Sequence, residues 1–592
     1  MNSETKICQN CKQNFTIEPE DFDFYKKIDV PPPTWCPDCR FQRRLAWRNE
    51  RGLYKRKCDA PGHNEDIISI YSPQSGFKAY DSKYWWSDEW DPMEYGKEYE
   101  FARPFFAQFG ELLKVIPHLT LSNYNSVQSE YCNFVDDMKN SYLAFGCFRG
   151  ENLLYCGRAQ HCRDSQDLLM AVKNELCYED TNCTDSYRLF YSMNSKNCND
   201  SYFLYNCRNC NNCFGCANLV SKSYCVFNVP YSKEEYLKKI KEFDLGSKKS
   251  IAKLKDKFKN EIYAKVIHKY AQIVGSVNVT GDNILNSKNS KFCFDIYGTI
   301  EDCKYVFHSL DSKDMHDSLG NYKTELAYES VDTDIGQNVV GTLTVYNSQN
   351  VRYSFNCHGS SHLFGCVGLR NKEYCILNRQ YPKEEYEKLV PRIAENMKSM
   401  PFKDKKSRLY NYGDYLPIEI SPFPYNDTIA QEFFQLTKEE AAEKGYSWRE
   451  PEVKIHSATM KSNALPDHIK DVRDDILDEV VACAHEGKCA EQCAVAFKIT
   501  PRELQFYRNL NIPLPEICFN CRHYQRLKQR NPLKLWHRKC MCSGSVSSNN
   551  IYKNTILHFH AENPCPNEFE TSYSPERPEI IYCEQCYNAE VA

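Results

Sequence analysis

At 592 residues the chain is longer than one hydrophobic core usually serves, so several domains are expected. Hydrophobic residues at 42% and aromatic residues at 14% exclude global disorder, and the formal net charge of −4 excludes a uniformly basic coat for nucleic acid. No signal-peptide pattern or membrane-spanning segment is found, so we expect a cytoplasmic protein without a membrane partner. In that reducing compartment the 32 cysteines are expected to be metal ligands or buried thiols, not disulfides.

Four cysteines near the N-terminus have the spacing of a structural zinc site. Cys8 and Cys11, then Cys36 and Cys39, form two pairs with two residues between the members of each pair. Two such pairs about 25 residues apart can place four thiolates around a tetrahedral ion. A closed site of this kind stabilises a fold and leaves no position for a reacting water. Packed free thiols or a redox pair are the alternative.

The C-terminal end repeats the N-terminal end at a constant offset of 482 residues, which carries Cys36 onto Cys518 and Cys39 onto Cys521. This second copy predicts a second zinc site, with the ligands Cys489, Cys493, Cys518 and Cys521 and with Cys483 further out. A helix is predicted between the two pairs of each copy, beginning at Glu18-Pro19 and at the capping box of Thr500. Another helix is predicted after each second pair.

Basic residues recur at three- or four-residue steps after each second pair, namely Arg40, Arg44, Arg48, Arg51 and Lys55 in the first copy and Arg522, Arg526 and Arg530 in the second. Guanidinium groups on a rigid, zinc-anchored helix are suited to phosphate contacts. These two basic faces therefore predict binding of RNA or DNA. The alternative is that the arginines pair with acidic residues of the middle domains.

Each copy continues into a second half, in which an insertion of 20 residues at the C-terminal end shifts the offset to 502. There the predicted ligands of a third zinc are Cys540, Cys565, Cys583 and Cys586, with Cys542 as a further candidate. At the N-terminal end Cys58 and His63 are candidate ligands, but Asp81 and Tyr84 stand at the positions of Cys583 and Cys586, so a metal-free fold is preferred. We therefore predict about three zinc ions per chain.

The middle of the chain is also duplicated, at an offset of 150 residues that carries Cys216 onto Cys366 and Tyr236 onto Tyr386. Each copy consists of short strand-like runs followed by a helix, predicted to begin beside Ser232 and Pro382. Cys156, Cys177 and Cys198 lie 21 residues apart, a spacing that suggests the coil of a parallel β-solenoid with cysteines stacked inside.

Four cysteines with two-residue gaps, Cys207, Cys210, Cys213 and Cys216, also resemble iron–sulfur ligands. In the copy 150 residues later, Cys210 and Cys213 become Ser360 and Leu363. Packed interior side chains tolerate that change, whereas a cluster would lose two ligands, so packing is preferred over metal binding.

The predicted fold class is a mainly β, multidomain protein with zinc-ribbon or treble-clef modules at both ends and two duplicated solenoid-like repeats between them. The predicted segments are an N-terminal zinc module (1–57), a degenerate second half (58–95), a linker helix (96–120), a Cys-rich repeat (121–230), a helical segment (231–275), a second repeat (276–380), a helix (381–400), a connector (401–480) with short helical stretches such as 464–481, a C-terminal zinc module (481–539) and a third zinc module (540–592).

The motifs CQNC, CPDCR with RNER, SYFLYNCRNCNNCFGC and the final IIYCEQCYNAEV resemble uncharacterised Cys-rich repeat proteins of metagenome-derived candidate-phyla bacteria. That family has no assigned activity, so the resemblance implies zinc and repeats but no catalytic residues. Each end module alone also resembles zinc ribbons and treble-clef fingers, which bind nucleic acid or protein.

Three functions follow in order of preference: non-catalytic nucleic-acid binding, a protein-interaction scaffold that uses the repeat faces, and a metal or iron–sulfur redox protein. The chain has no phosphate-binding glycine loop, HExxH motif or nucleophile elbow, so an enzyme is not expected. Nucleic acid and protein remain the candidate partners, and the oligomeric state is undetermined.

Overall fold

The computed structural model describes residues 2–158, 174–450 and 458–591. Across these residues the chain is mainly β, as expected, and it contains twelve α-helices. The helices are Pro19–Lys27, Pro37–Leu45, Ser82–Trp86, Phe105–Val115, Lys233–Ile240, Lys248–Lys257, Lys383–Ser399, Ala430–Phe433, Lys438–Glu443, Pro501–Leu510, Phe519–Gln529 and Glu584–Val591. None of these described helices has the length and apolar character needed to cross a membrane.

The chain divides into two compact units, each made of two separated stretches. Unit 1 contains Met1–Leu121 and Gln272–Glu450, and unit 2 contains Ser122–Ala271 and Pro451–Ala592. Unit 1 therefore combines the N-terminal end with the second middle segment, and unit 2 combines the first middle segment with the C-terminal end. The two duplications seen in the sequence thus produce two units of one design.

The middle segment of unit 2 forms a parallel ladder in its described residues 123–158 and 174–226, which we name the first ladder. Each segment pairs with the segment twelve residues later, as Asn133 does with Phe145 and Tyr202 with Phe214. Its strands are Asn123–Tyr124, Val135–Asp136, Tyr187–Phe190, Asn199–Tyr202 and Cys225–Val226, and the last pairs antiparallel with Val229–Pro230. The predicted helix follows at Lys233–Ile240, with Ser232 in a capping box.

Unit 1 contains the second ladder, over residues 273–376, which is also parallel. Its register is eleven to thirteen residues up to Phe307 and twelve residues beyond it, where Leu319 pairs with Val331 and Val331 with Leu343. Its strands are Ile273–Val274, Val277–Leu285, Lys288–Ile296, Ile300–Glu301, Lys304–Phe307, Ser312–Leu319, Glu325–Val340, Leu343–Arg352, Phe355–His358, Ser361–Phe364 and Glu373–Ile376, followed by the antiparallel Arg379–Gln380. The predicted helix begins after Pro382 and ends at Ser399.

A three-residue pattern builds both ladders. Most triplets contain an outward residue, then a residue with positive φ, then a small residue buried in the interior. In one such triplet Asn209 has a φ of 52° and precedes the fully buried Cys210. Asn, Asp and Gly adopt the left-handed region at the lowest cost. This explains why the ladder segments are rich in these residues and in Cys and Ser.

The 21-residue spacing does not give the pairing register. Pairing at twelve residues places Cys177 and Cys198 on different sides of the ladder, because 21 is not a multiple of twelve. The cysteines are nevertheless interior, as expected, and Cys156, Cys177 and Cys198 are each 0% exposed.

The four closely spaced thiols lie inside the first ladder. Cys207, Cys210, Cys213 and Cys216 are 0% exposed, and each thiol donates to the carbonyl two residues earlier at 3.3 to 3.5 Å. Ser201 does the same through its hydroxyl, which lies 2.7 Å from the carbonyl oxygen of Asn199. Cys and Ser therefore fill equivalent interior positions, which supports the packing interpretation.

Short strands complete the two units. They are Glu4–Ile7, Asn14–Ile17, Tyr54–Lys57, Asp66–Ser69, Ala79–Tyr80, His118–Leu119, Ile267–Lys269, Phe402–Lys403, Leu409–Tyr410, Met460–Lys461, Val481–Ala482, Ala496–Phe497, Trp536–Lys539, Glu568–Thr571 and Ile580–Tyr582. The helical stretch predicted over 464–481 is wrong, because the structure has only 3₁₀ turns there, at Ser462–Ala464, Ile469–Asp471 and Asp474–Leu477. Pro466 disfavours a helical conformation at Leu465, which is extended with a ψ of 137°.

We expect Gly281→Ala to destabilise unit 1 by about 3 kcal/mol or more. Gly281 has a φ of 143°, and a Cβ there would lie 1.7 Å from the carbonyl oxygen of Cys293. Gly76→Ala is the matched control, because Gly76 also has a positive φ, 75°, but no neighbouring atom within 4 Å. It should cost only about 1 kcal/mol. Equal losses in urea unfolding would show that the clash is not the cause.

Candidate metal centres

Four thiols converge near the N-terminus, and we name this group the first thiol site. The Sγ atoms of Cys8, Cys11, Cys36 and Cys39 all lie within 4.8 Å of one another, and those of Cys11 and Cys36 are 3.6 Å apart. Sulfur atoms around a tetrahedral ion with bonds of about 2.3 Å are separated by roughly 3.8 Å, so the donors fit a metal ion.

Local structure positions these four thiols. The first pair lies at the turn between the strands Glu4–Ile7 and Asn14–Ile17. Cys36 is the N-cap of the helix Pro37–Leu45, which we name the first arginine helix, and Cys39 lies in its first turn. The backbone N–H of Cys36 donates to the Sγ of Cys8 at 3.2 Å, and hydrogen bonds from Cys36 and Cys39 lower the pKa of Cys8. A thiolate is therefore favoured where a metal would need one.

The second thiol site corrects the sequence interpretation at one ligand. The mutually close donors are Cys483, Cys493, Cys518 and Cys521. Cys483 occupies the position of Cys8, because it accepts the backbone N–H of Cys518 at 3.3 Å as Cys8 accepts that of Cys36. Cys489, predicted as a ligand, lies beside the site with its Sγ 3.7 Å from that of Cys521. Cys489 also belongs to a second donor group, with His485, Glu491 and Cys521.

The structure brings together the predicted third set of cysteines, which we name the third thiol site: Cys540, Cys565, Cys583 and Cys586. The Sγ of Cys565 lies 3.8 Å from that of Cys583 and 3.6 Å from that of Cys586. A hydrogen bond from Cys540 lowers the pKa of Cys583 to about 4. Cys583 and Cys586 flank the start of the helix Glu584–Val591, as a close pair should.

The N-terminal counterpart of the third thiol site has a different set of contacts. The Sγ of Cys58 lies 3.6 Å from Asp81 Oδ2, and the Nδ1 of His63 lies 2.6 Å from Glu65 and 3.6 Å from Asp81. Burial raises the pKa of the Cys58 thiol. The neighbouring Trp85 is fully buried.

The expectation of exposed basic faces is wrong for the arginines. All seven are buried, with at most 9% of their surface exposed: Arg40, Arg44, Arg48, Arg51, Arg522, Arg526 and Arg530. The basic side chain that does reach solvent is Lys55, 69% exposed, which pairs with Asp66 at 2.9 Å. Arg40 and Arg44 lie on the helix Pro37–Leu45, which packs against the ladder strands Ser312–Leu319 and Glu325–Val340. Arg522 and Arg526 lie on the helix Phe519–Gln529, and the other three arginines follow the ends of these two helices.

In unit 1 the first arginine helix meets acidic residues of the second ladder. Arg44 lies 3.1 Å from Asp317 and 2.8 Å from Glu329. These two acidic residues are twelve residues apart and lie side by side on adjacent paired strands, which we call rungs of the ladder. Arg40 contacts Asp317 at 2.9 Å and Arg43 contacts Glu329 at 2.7 Å. Burial acts to raise the pKa of Asp317, but the charges of Arg40 and Arg44 outweigh it and lower that pKa. The carboxylate is therefore ionised inside the unit.

Unit 2 repeats this arrangement with the helix Phe519–Gln529, the second arginine helix. Glu179 of the first ladder corresponds to Glu329 at the 150-residue offset, and Arg526 corresponds to Arg44 at the 482-residue offset. Burial acts to raise the pKa of Glu179, but the charges of Lys255, Arg526 and Arg522 outweigh burial and lower that pKa. Arg522 also lies 5.0 Å from the ring of Tyr155 and 3.8 Å from Glu503.

These features define the protein as a mainly β chain with several thiol-lined groups that could hold metal ions. Sequence spacing found most of the thiols but missed Cys483 and the ladder carboxylates. No protein-family model matches the chain, and no curated protein matches it. A solved structure described as a candidate acetyltransferase from Desulfovibrio desulfuricans G20 is 11% identical, covers 49% of this chain and 77% of its own, and has a TM-score of 0.10. So slight a likeness carries no argument.

Glu329→Gln should destabilise unit 1 by about 3 to 5 kcal/mol, because it takes from the buried Arg43 its closest carboxylate and leaves the buried Arg44 with only Asp317. Glu301→Gln, in the same ladder, is the control, since Glu301 is 36% exposed and its pair with Lys288 at 3.1 Å is a surface contact. That change should cost less than about 1 kcal/mol. Urea unfolding of both variants measures the difference, and a loss of under about 1 kcal/mol for Glu329→Gln would contradict the buried network.

Cys483→Ser should remove one metal ion per chain, whereas Cys489→Ser should retain it. The reason is that Cys483 has the place and the backbone contact of Cys8, while Cys489 lies outside the mutually close group. Metal analysis after dialysis against a moderate chelator measures the count in each variant. Loss of the ion in Cys489→Ser and its retention in Cys483→Ser would show instead that Cys489 is a ligand and Cys483 is not.

Proposed function

We propose that the protein is a zinc-organised, non-catalytic scaffold that presents the faces of two solenoid-like ladders to a protein partner. One observation carries this proposal: the arginines of both thiol-anchored helices are buried against the ladders. The thiol modules therefore hold the ladders, and their helices are not available to phosphate groups. Structural metal sites typically have this role.

Zinc is the metal that the three thiol sites favour. Each site offers four sulfur donors within 4.8 Å of one another, and six of the sulfur–sulfur separations lie between 3.5 and 4.0 Å. Four thiolates in a tetrahedral arrangement bind zinc or an iron–sulfur cluster, and sulfur atoms around a single ion lie roughly 3.8 Å apart. Such a closed site would supply folding energy and no open coordination position.

Each ladder leaves a row of outward side chains uncovered, and we name these rows the open faces. The open face of the second ladder contains Val277, Lys288, Glu301, Lys313, Glu325, Gln337 and Gln349 on successive rungs. The corresponding described residues of the first ladder are Val127, Lys139, Glu151, Glu175, Tyr187, Asn199 and Asn211. Both rows therefore occupy the same side of their ladder.

The chemistry of the open faces favours protein over nucleic acid. Lys288 and Lys313 alternate with Glu301 and Glu325, and Lys288 pairs with Glu301 at 3.1 Å. A row of mixed charge has no net attraction for a polyphosphate backbone. The exposed Val277, 68% accessible, adds an apolar contact at one end. Extended faces of stacked repeats commonly bind protein partners without chemistry.

Crosslinking in cells that express the chain tests this function. An amine-reactive crosslinker should join one partner protein to Lys139, Lys288 and Lys313, which are 66%, 61% and 50% exposed on the open faces. Lys55 and Lys57 are the internal controls, because they are 69% and 58% exposed on a thiol module and should give no crosslink to that partner. Crosslinks confined to the controls would contradict the proposal.

The nucleic-acid function is tested by fluorescence anisotropy with single-stranded RNA and duplex DNA at low salt. We expect no binding, because seven of the eight predicted contacts are buried arginines. Affinity that falls steeply with salt concentration would instead support the nucleic-acid hypothesis.

A further inference from the structure

A second group of metal donors adjoins the third thiol site. The donor atoms of Cys542, His558, His560 and Cys586 all lie within 4.8 Å of one another. The Nδ1 of His558 is 3.1 Å from the Sγ of Cys542, and the Nε2 of His560 is 3.3 Å from the Sγ of Cys586. Cys586 belongs to both groups, so one sulfur faces two potential metal positions.

The outer nitrogen of each imidazole is held by an acceptor. The Nε2 of His558 lies 2.9 Å from Oε1 of Glu590, and both side chains are 0% exposed. The Nδ1 of His560 lies 2.6 Å from the carbonyl oxygen of Asn563. When the outer nitrogen donates, the inner nitrogen keeps its lone pair, which is the tautomer that a metal requires. Both inner nitrogens face the cysteine sulfurs.

Glu590 is itself fixed in position. It accepts from the backbone N–H of Thr555 at 2.9 Å, from the hydroxyl of Thr555 at 2.7 Å and from the hydroxyl of Tyr552 at 3.0 Å. The amide of Asn554 donates to the Sγ of Cys542 at 3.2 Å and holds that sulfur in position. Metal-binding histidines and thiolates are usually supported by contacts of this kind.

The insertion that separates the two copies of this module supplies the histidines. His558 and His560 lie among the 20 residues that the N-terminal copy lacks, and Cys542 corresponds to Ala60. The inserted segment has little core of its own, because four of its large apolar side chains are exposed: Ile551, Ile556, Leu557 and Phe559, at 49 to 71%. A segment that cannot bury these side chains needs another source of order, and a metal ion supplies it.

We propose that the C-terminal module binds two zinc ions, the second held by Cys542, His558 and His560 and by Cys586 as a thiolate shared with the third thiol site. Two sulfurs and two imidazole nitrogens in a tetrahedral arrangement are a usual zinc donor set. This inference rests on the proposed zinc in the third thiol site. It raises the expected content from three to four zinc ions per chain.

Metal analysis and cadmium-113 NMR of the full chain test the second ion. We expect four zinc ions in the natural chain, three in His558→Ala and three in His560→Ala. The cadmium-substituted natural chain should show one resonance from a mixed nitrogen and sulfur site, separate from the all-thiolate resonances, and both variants should lose it. His537→Ala is the matched control, because His537 is 61% exposed on the strand Trp536–Lys539, which pairs with Glu568–Thr571, and its ring pairs with Glu568 and Glu570 outside the donor groups described above. It should keep four ions.

Glu590→Gln gives a milder change, and we expect a 10- to 100-fold weaker affinity for the second zinc only. Three ions in the natural chain together with no mixed-ligand resonance would overturn the inference and leave the zinc scaffold standing. Four ions retained in both histidine variants would also overturn it. Absence of the all-thiolate resonances would instead overturn the proposed function.

Discussion

Unit 1 depends on the contact between the first arginine helix and the carboxylates of the second ladder. Removing a guanidinium group and a carboxylate from water is costly, and their attraction repays that cost only when the geometry is well fixed. Two constraints fix it here. The first thiol site holds the start of the helix through Cys36 and Cys39. The ladder places Asp317 and Glu329 on adjacent rungs, about 4.8 Å apart, so Arg44 reaches both.

This contact would link a metal in the first thiol site to the ladder. Without an ion, four close thiols would be free to separate, and the first turn of the helix would lose its anchor. The arginines would then face the carboxylates with poor geometry, and the desolvation cost would dominate. A metal bound there would therefore stabilise a surface of the ladder that lies well beyond its own ligands. In unit 2 the charge of Arg526, on the helix that begins after Cys518 of the second thiol site, also lowers the pKa of Glu179, whose carboxylate pairs with Lys255 at 2.6 Å.

Features that depend on residues close together in the sequence could be predicted, and features that depend on distant residues could not. The two helices beginning at Pro19 and after Thr500 are local features, and the structure has them where the sequence predicted them. The close pairs Cys36/Cys39 and Cys518/Cys521 are also local, and the structure places each pair within a group of four thiols. The role of Cys483 was missed because seven additional residues separate it from Cys493, compared with Cys8 and Cys11, and spacing alone favours the nearer Cys489.

The burial of the arginines was missed for a different reason. It depends on which acidic residues stack, and therefore on the register of the ladder. A 21-residue register does not place Asp317 beside Glu329, whereas the twelve-residue register does. The sequence contains a three-residue rhythm of small residues, many of them preceded by Asn or Asp, but twelve and 21 are both multiples of three. This rhythm identifies the interior positions without fixing how many triplets make one turn, and the regular cysteine spacing then favoured 21.

The cysteines have two unrelated roles. An interior thiol such as Cys210 donates to a carbonyl two residues earlier, and its place can be taken by a serine or a leucine. Thiols in the metal groups also accept N–H donors, as Cys8 does from a backbone N–H and Cys542 does from Asn554. Hydrogen bonds alone do not separate the two roles, because the interior Cys216 accepts the backbone N–H of Asn228 at 3.4 Å and Cys542 also donates to the carbonyl oxygen of Gly544 at 3.9 Å. The convergence of four donor atoms, all within 4.8 Å of one another, is what places Cys542 among the potential metal ligands. Its counterpart Ala60 shows that the duplicated module folds without a thiol at that position.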